Sequence, residues 1–168
     1  TSLAARWELR NMLATLRKNK KRIWVYADHL STHDFFLASV ADHIILSPAG
    51  SWEVTGLAME SLFLKDFLGL LGIEADFLRM GKYKGAAENL TRNSMSPDLK
   101  VSMNALLDAL FNGLVEGMAQ GRKLPVARIR TWIDAAPLGA DEALQHKLVD
   151  RLEDFTDTWR RLNKQFTM

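Results

Sequence analysis

Apolar residues recur at helical spacing in the opening segment: Leu3, Trp7, Leu9, Met12, Leu13 and Leu16, with Arg and Glu between them. This predicts a helix that ends in a basic turn. Ile23-Trp24-Val25-Tyr26 follows as a short strand-type run. Residues 31–41 read as a helix, with Ser31 or Thr32 as its N-cap. His43-Ile44-Ile45-Leu46 reads as a second buried strand, closed by Ser47-Pro48-Ala49-Gly50. Residues 59–71, with Leu62, Phe63, Phe67, Leu70 and Leu71, predict an apolar helix stopped by Gly72; a core role for it is favoured over oligomer packing. Ala75–Arg79 reads as a third strand, and Met80–Met95 is polar with no long period.

Ser96-Pro97-Asp98 supplies a hydroxyl cap, a proline at the first position and an acid in the first turn. The long helix it starts carries Leu99, Met103, Leu106, Leu107, Leu110, Leu114 and Met118 and ends near Gly121. A helix follows Pro125, around Val126 to Ile133. A turn at Pro137-Leu138-Gly139 precedes a short helix near Asp141–His146. Leu148-Val149-Asp150 closes the domain, and Phe155–Phe166 predicts a terminal amphipathic helix. Buried strands alternating with helices indicate an α/β fold, a parallel sheet wrapped by helices.

The chain has 168 residues, 48% of them hydrophobic, enough for one domain with a substantial core. It begins at Thr1 and reads as a fragment of a longer protein. No stretch approaches the ~20 apolar residues of a transmembrane helix, and the start has no signal-peptide pattern. Net charge is +2, too weak to argue for nucleic acid. The dense basic run Arg17, Lys18, Lys20, Lys21 and Arg22 sits where cations are favoured, at a helix C-terminus. A solvated turn is preferred there to an anionic partner such as a lipid surface. The absence of cysteine excludes disulfides, thiolate chemistry and Cys-based zinc sites.

One segment has the composition of a reactive loop: Arg79-Met80-Gly81-Lys82-Tyr83-Lys84-Gly85-Ala86-Ala87-Glu88-Asn89-Leu90, then Arg92 and Met95-Ser96-Pro97. It follows a predicted strand, where α/β proteins place their sites. A lysine packed against apolar surface loses stability in its charged form and can act as a general base near pH 7. On local grounds alone, a solvated lysine in a glycine-flanked loop is the simpler reading. Ser31-Thr32-His33-Asp34 invites a triad reading, which fails because consecutive residues at a helix start do not converge on one point. Helix capping is preferred. His29, His43 and His146 have no metal-ligand spacing, so no metal or other cofactor is expected. Asp150 and Glu153 read as a cap and a surface charge; Trp52, Trp132 and Trp159 read as core or interface residues.

The ordered motifs resemble the amino-terminal, lysine-bearing repeat of the tandem-repeat signal peptide peptidases, the SppA or protease IV family. Arg79, Gly81, Lys82, Tyr83, Lys84, Gly85, Ala86, Glu88, Arg92 and Met95-Ser96-Pro97 match the pattern around the family's catalytic lysine. Phe35-Phe36-Leu37-Ala38-Ser39-Val40-Ala41-Asp42-His43-Ile44 fits its upstream segment. Ser47-Pro48-Ala49-Gly50 with Gly56 fits the loop after that strand, and Ala143–Asp150 resembles its closing motif. The likeness covers roughly residues 3–155.

This resemblance implies a ClpP/crotonase-like fold and peptide hydrolysis by a Ser/Lys dyad. Lys84 would be the general base, with Gly81, Tyr83, Gly85 and Glu88 as support for the site or substrate. Lys82, the near rival, points elsewhere if the segment is extended. Thr32 stands in the nucleophile's place, and His33 and Asp34 replace the two glycines expected there. The serine is therefore expected in a second repeat beyond Met168. Residues 1–155 would be one repeat lacking its first strands, and 156–168 a helix leading to the second. Implied partners are signal peptides, the serine-bearing repeat, further copies in a homo-oligomer, and a membrane reached through a segment outside this chain. The implied location is the periplasmic side of the bacterial inner membrane. This chain alone is expected to be inactive. A non-catalytic scaffold repeat is the alternative, and an acyl-CoA enzyme of the crotonase type a weaker third.

Overall fold

In the computed structural model, residues 2–77, 85 and 87–166 are described. Helix α1 (Leu3–Lys18) is capped by Ser2, whose hydroxyl accepts from the Ala5 N–H at 3.3 Å. Of the apolar residues at helical spacing, Leu9, Met12 and Leu16 are exposed and Trp7 packs its ring on that of Phe36, centroids 4.8 Å apart, while the buried residue of the helix is Arg10. Beside Trp7 runs an arginine row, Arg6, Arg10 and Arg17, spaced four and seven apart and so aligned on one side. Its acceptors lie along the next helix and its exit: Asp34 for Arg6, Ser39 and the Phe36 carbonyl for Arg10, Asp42 and the Val40 carbonyl for Arg17.

Strand β1 (Trp24–Ser31) leads into helix α2 (Thr32–Ala38), and strand β2 (His43–Glu53) follows. Ser31 caps α2, accepting from the Asp34 N–H at 3.3 Å. β1 and β2 are parallel, Trp24 facing His43 and Leu30 facing Trp52. Ser47-Pro48-Ala49-Gly50 does not end β2, as expected, but forms an irregularity within it. Ala27 faces Leu46 while His29 faces Ser51, so the intervening residues of β2 leave the ladder. A proline without an N–H is tolerated at such a place.

After helix α3 (Lys65–Leu70), helix α4 (Glu88–Thr91) and helix α5 (Pro97–Arg122) come helix α6 (Val126–Ala135), strand β3 (Leu138–Gly139), helix α7 (Ala140–Gln145), strand β4 (Arg151–Leu152) and helix α8 (Phe155–Phe166). Among the described residues the sheet has four strands. β1 and β4 flank β2 in parallel, and β3 pairs with β2 antiparallel, which corrects the expectation of a purely parallel sheet.

The chain forms two compact units, the first of residues up to 56 together with those from 113 on, the second Leu57–Asn112. In the first and larger unit, Phe35, Phe36, Ile44, Leu46, Trp52 and Met118 are fully buried. Each such side chain stabilises the fold by roughly 1.5–3 kcal/mol. Gly117 and Gly121 recur one turn apart on α5 and let it close on α2. A Cβ at Gly117 would lie 2.6 Å from the Phe36 ring, and one at Gly121 lies 2.3 Å from the Ser39 carbonyl oxygen. Gly121 thus serves a close approach in the last turn of α5, which ends at Arg122, where the sequence placed its end.

Helix α8 docks through Glu153, which accepts from Arg161 Nη2 at 2.8 Å and from Thr158 Oγ1 at 2.9 Å. The Arg161 hydrogen bonds hold the Glu153 carboxyl below its ordinary range, against the opposing effect of burial. A depressed carboxyl contributes stability above its unfolded value of about 4.3 and loses it as pH falls through the folded value. Thermal midpoints recorded from pH 6 down to pH 3 are expected to fall less in Glu153→Gln than in the parent.

In the second unit the helix expected over 59–71 shortens to α3. The Leu64 N–H donates to the Asn89 carbonyl at 2.7 Å instead of to a preceding turn, so the helix cannot extend upstream. Gly72 closes it as expected, at φ 71°. Leu62, Phe67, Leu70 and Leu71 are exposed, against the core role favoured for them. Ala75–Phe77 forms no strand; Leu78 and Arg79, the rest of that expected element, lie outside the described residues.

Candidate functional site

Gly81, Lys82, Tyr83 and Lys84 lie outside the described residues. What is described is the anchor immediately after them. Gly85 is buried, and a Cβ there would lie 2.5 Å from Leu99 Cδ2, so a larger residue would force the Leu99 side chain to shift. Glu88, at the start of α4, is 2% exposed. Its carboxylate accepts from the Ser96 N–H at 2.8 Å and from the Ser96 hydroxyl at 2.6 Å. The same hydroxyl accepts from the Leu99 N–H at 3.2 Å. The sequence reading of Ser96 as a cap is met, and Ser96 also joins α4 to α5. A carboxylate at this end of a long helix meets the positive pole of its dipole.

The other unit holds Thr32, which the sequence resemblance set in a nucleophile's place. Thr32 is buried, and its hydroxyl donates to the Gly56 carbonyl and accepts from the Gly56 N–H, both at 3.2 Å. That hydroxyl is thus engaged in a backbone clasp. Ser31 donates to Asp34, and Asp34 pairs with Arg6 at 3.4 Å. These residues cap and brace α2, in keeping with rejection of a triad.

The histidines behave as packed or surface side chains. His43 stacks on Trp24 with ring centroids 5.5 Å apart, and His146 stacks on Trp132 at 4.9 Å. Among the described residues no His, Asp and Glu cluster could hold a metal ion. Asp150 is more than a cap or surface charge. It accepts from the Ile44 N–H at 2.8 Å and is held by Arg122 through Nη1 and Nη2, at 2.9 and 2.7 Å. Glu153 is likewise an anchor for α8 rather than a surface charge. Trp52 is a core residue with its Nε1 buried and unpartnered, Trp132 is half-buried, and Trp159 is exposed.

Sequence reasoning missed Arg10, Arg122 and the Glu88–Ser96 clasp. Periodicity could have raised the first, since Arg6, Arg10 and Arg17 share a helix face; no local signal points to the others.

The family model described as Peptidase family S49 matches residues 15–168. The chain is 36% identical to Protease 4 of Haemophilus influenzae over 65% of its length. It is 30% identical to Protease 4 of Salmonella typhi over 92% of its length, and 27% identical to the chloroplastic serine protease SPPA of Arabidopsis thaliana over 69%. The chain belongs to peptidase family S49. It spans 18%, 26% and 17% of the lengths of these three relatives. Among the described residues no helix is long and apolar enough to cross a membrane.

Proposed function

We propose that this chain is the lysine-bearing part of a serine endopeptidase with a Ser/Lys dyad, acting on cleaved signal peptides. The observation that carries this reading is the family match over residues 15–168, which takes in the whole Gly81–Glu88 motif. The fold is proposed to be of the ClpP/crotonase type. Lys84 takes the proton of a serine hydroxyl as the serine attacks the peptide carbonyl, then passes it to the leaving amine. A desolvated amine is the form able to do this near pH 7. Gly81, Tyr83, Gly85 and Glu88 support that lysine.

The serine is proposed to come from a second repeat. The engagement of the Thr32 hydroxyl by Gly56 supports this, because a clasped hydroxyl is a poor nucleophile. The exposed Leu62, Phe67, Leu70 and Leu71 support a homo-oligomer, and we place the assembled protein at the periplasmic face of the inner membrane.

In the full-length protein, Lys84→Ala is expected to lower turnover of a signal-peptide substrate by on the order of 10²–10⁴, the usual contribution of a general base. Lys82→Ala is expected to change it by only a few-fold. Turnover retained in Lys84→Ala, or a Lys84 amine titrating near ~10.4, would favour a non-catalytic scaffold repeat.

A further inference from the structure

At one end of the sheet, strand register places several side chains on a common face. Trp24 pairs with His43 across β1 and β2, and Ile45 pairs with Arg151 across β2 and β4. His43 and Ile45, two apart on one strand, point the same way. Arg161 and Gln165, four apart on α8, lie over them. Together with Arg22 and Asp150 these groups enclose a cleft of about 370 Å³.

The charges in this cleft do not cancel. Asp150 is engaged by Arg122 through paired bonds, and Arg161 by Glu153. Arg151 reaches Glu153 only at 4.0 Å, and among the described residues Arg22 has no acidic partner. Lys20 and Lys21 adjoin Arg22 and add to the positive potential. The wall beside the guanidinium groups is flat and apolar. Trp24 stacks on His43, and Phe166 closes on it edge-on at 5.3 Å. Guanidinium forks match phosphate oxygens in geometry as well as charge.

We propose that this cleft binds a phosphate oxyanion carried on an apolar body, with Arg22 and Arg151 as its ligands and Trp24 as its flat wall. Such a group can arrive as a soluble phosphate monoester or as the headgroup of an anionic lipid.

The test uses the full-length protein and the paired substitution Arg22→Gln with Arg151→Gln. Both side chains are exposed, so the fold should persist, as circular dichroism would check. Phenyl phosphate is titrated calorimetrically, and vesicles of phosphatidylglycerol or phosphatidylcholine are tested by co-sedimentation. Phenyl phosphate affinity at least about tenfold weaker in the variant, a loss of ~1.4 kcal/mol, supports the soluble source. Sedimentation with phosphatidylglycerol alone, lost in the variant, supports the headgroup. Should the paired variant misfold, Arg22→Gln alone is expected to give the larger part of either loss. Binding absent from both assays, or equal in parent and variant, overturns the proposal.

Discussion

Arg10→Ala is expected to destabilise the larger unit by about 3 kcal/mol, lowering its thermal midpoint by roughly 6–12 °C. Arg10 is 8% exposed. Nη1 donates to the Phe36 carbonyl and, at 2.7 Å, to Ser39 Oγ. Nη2 donates to the Gly117 carbonyl at 2.5 Å. The guanidinium also lies 4.6 Å from the centre of the Phe36 ring. One side chain on α1 thereby holds the last turn of α2 and the C-terminal part of α5. A cation beside the last carbonyls of α2 is favoured by that helix's dipole. Burial lowers the Arg10 pKa, but an arginine starts so far above neutrality that it stays charged. Those partners are uncharged, so the desolvation cost is offset by hydrogen bonds and ring contact rather than by an opposite charge.

The substitutions rank accordingly. Alanine removes the donors and leaves a void against Phe36. Methionine fills the space without a buried charge and is expected to cost about half as much. Lysine keeps the charge but not the fork, so it is expected to recover little. Thermal unfolding of the three variants checks the order, and a loss below about 1 kcal/mol for alanine would contradict it.

The same residue shows what was legible in the sequence. Elements with local signatures were readable: the Ser31 cap, the Ser96-Pro97-Asp98 start of α5, the Gly72 stop and the period of α8. Where partners lie far along the chain, hydrophobic pattern misleads. On α1 the apolar spacing announced a helix but not that Arg6, Arg10 and Arg17 would turn to carbonyls and carboxylates of α2 and its exit. Apolarity alone suggested a long helix over 59–71, but the Asn89 carbonyl takes the N–H that would have extended it. Ser47-Pro48-Ala49-Gly50 has turn composition and indeed departs from the ladder, but only a neighbouring strand could show that β2 resumes beyond it. For the candidate site, resemblance selected the segment around Lys84, whereas the contact between Glu88 and Ser96 needed coordinates.

That contact yields the second large effect expected. Glu88→Ala removes a buried carboxylate that accepts twice from Ser96, and leaves the Ser96 N–H without it. Hydrogen bonds to a charged acceptor contribute about 1.5–3 kcal/mol each, so a local loss near 3 kcal/mol is expected. Amide exchange at Ser96 and Leu99 should then accelerate by on the order of 100-fold. Glu88→Gln retains an acceptor for the N–H but not the charge, and exchange should rise by about tenfold. Peptidase turnover by the full-length variants separates structure from function. Gly85 packs on Leu99, and Leu99 is tied to Ser96, so loosening this corner acts on the backbone directly after Lys84. If Glu88 supports the proposed lysine, turnover falls with the exchange protection across alanine, glutamine and parent. Faster exchange with unchanged turnover would leave Glu88 a helix anchor and remove it from the proposed site.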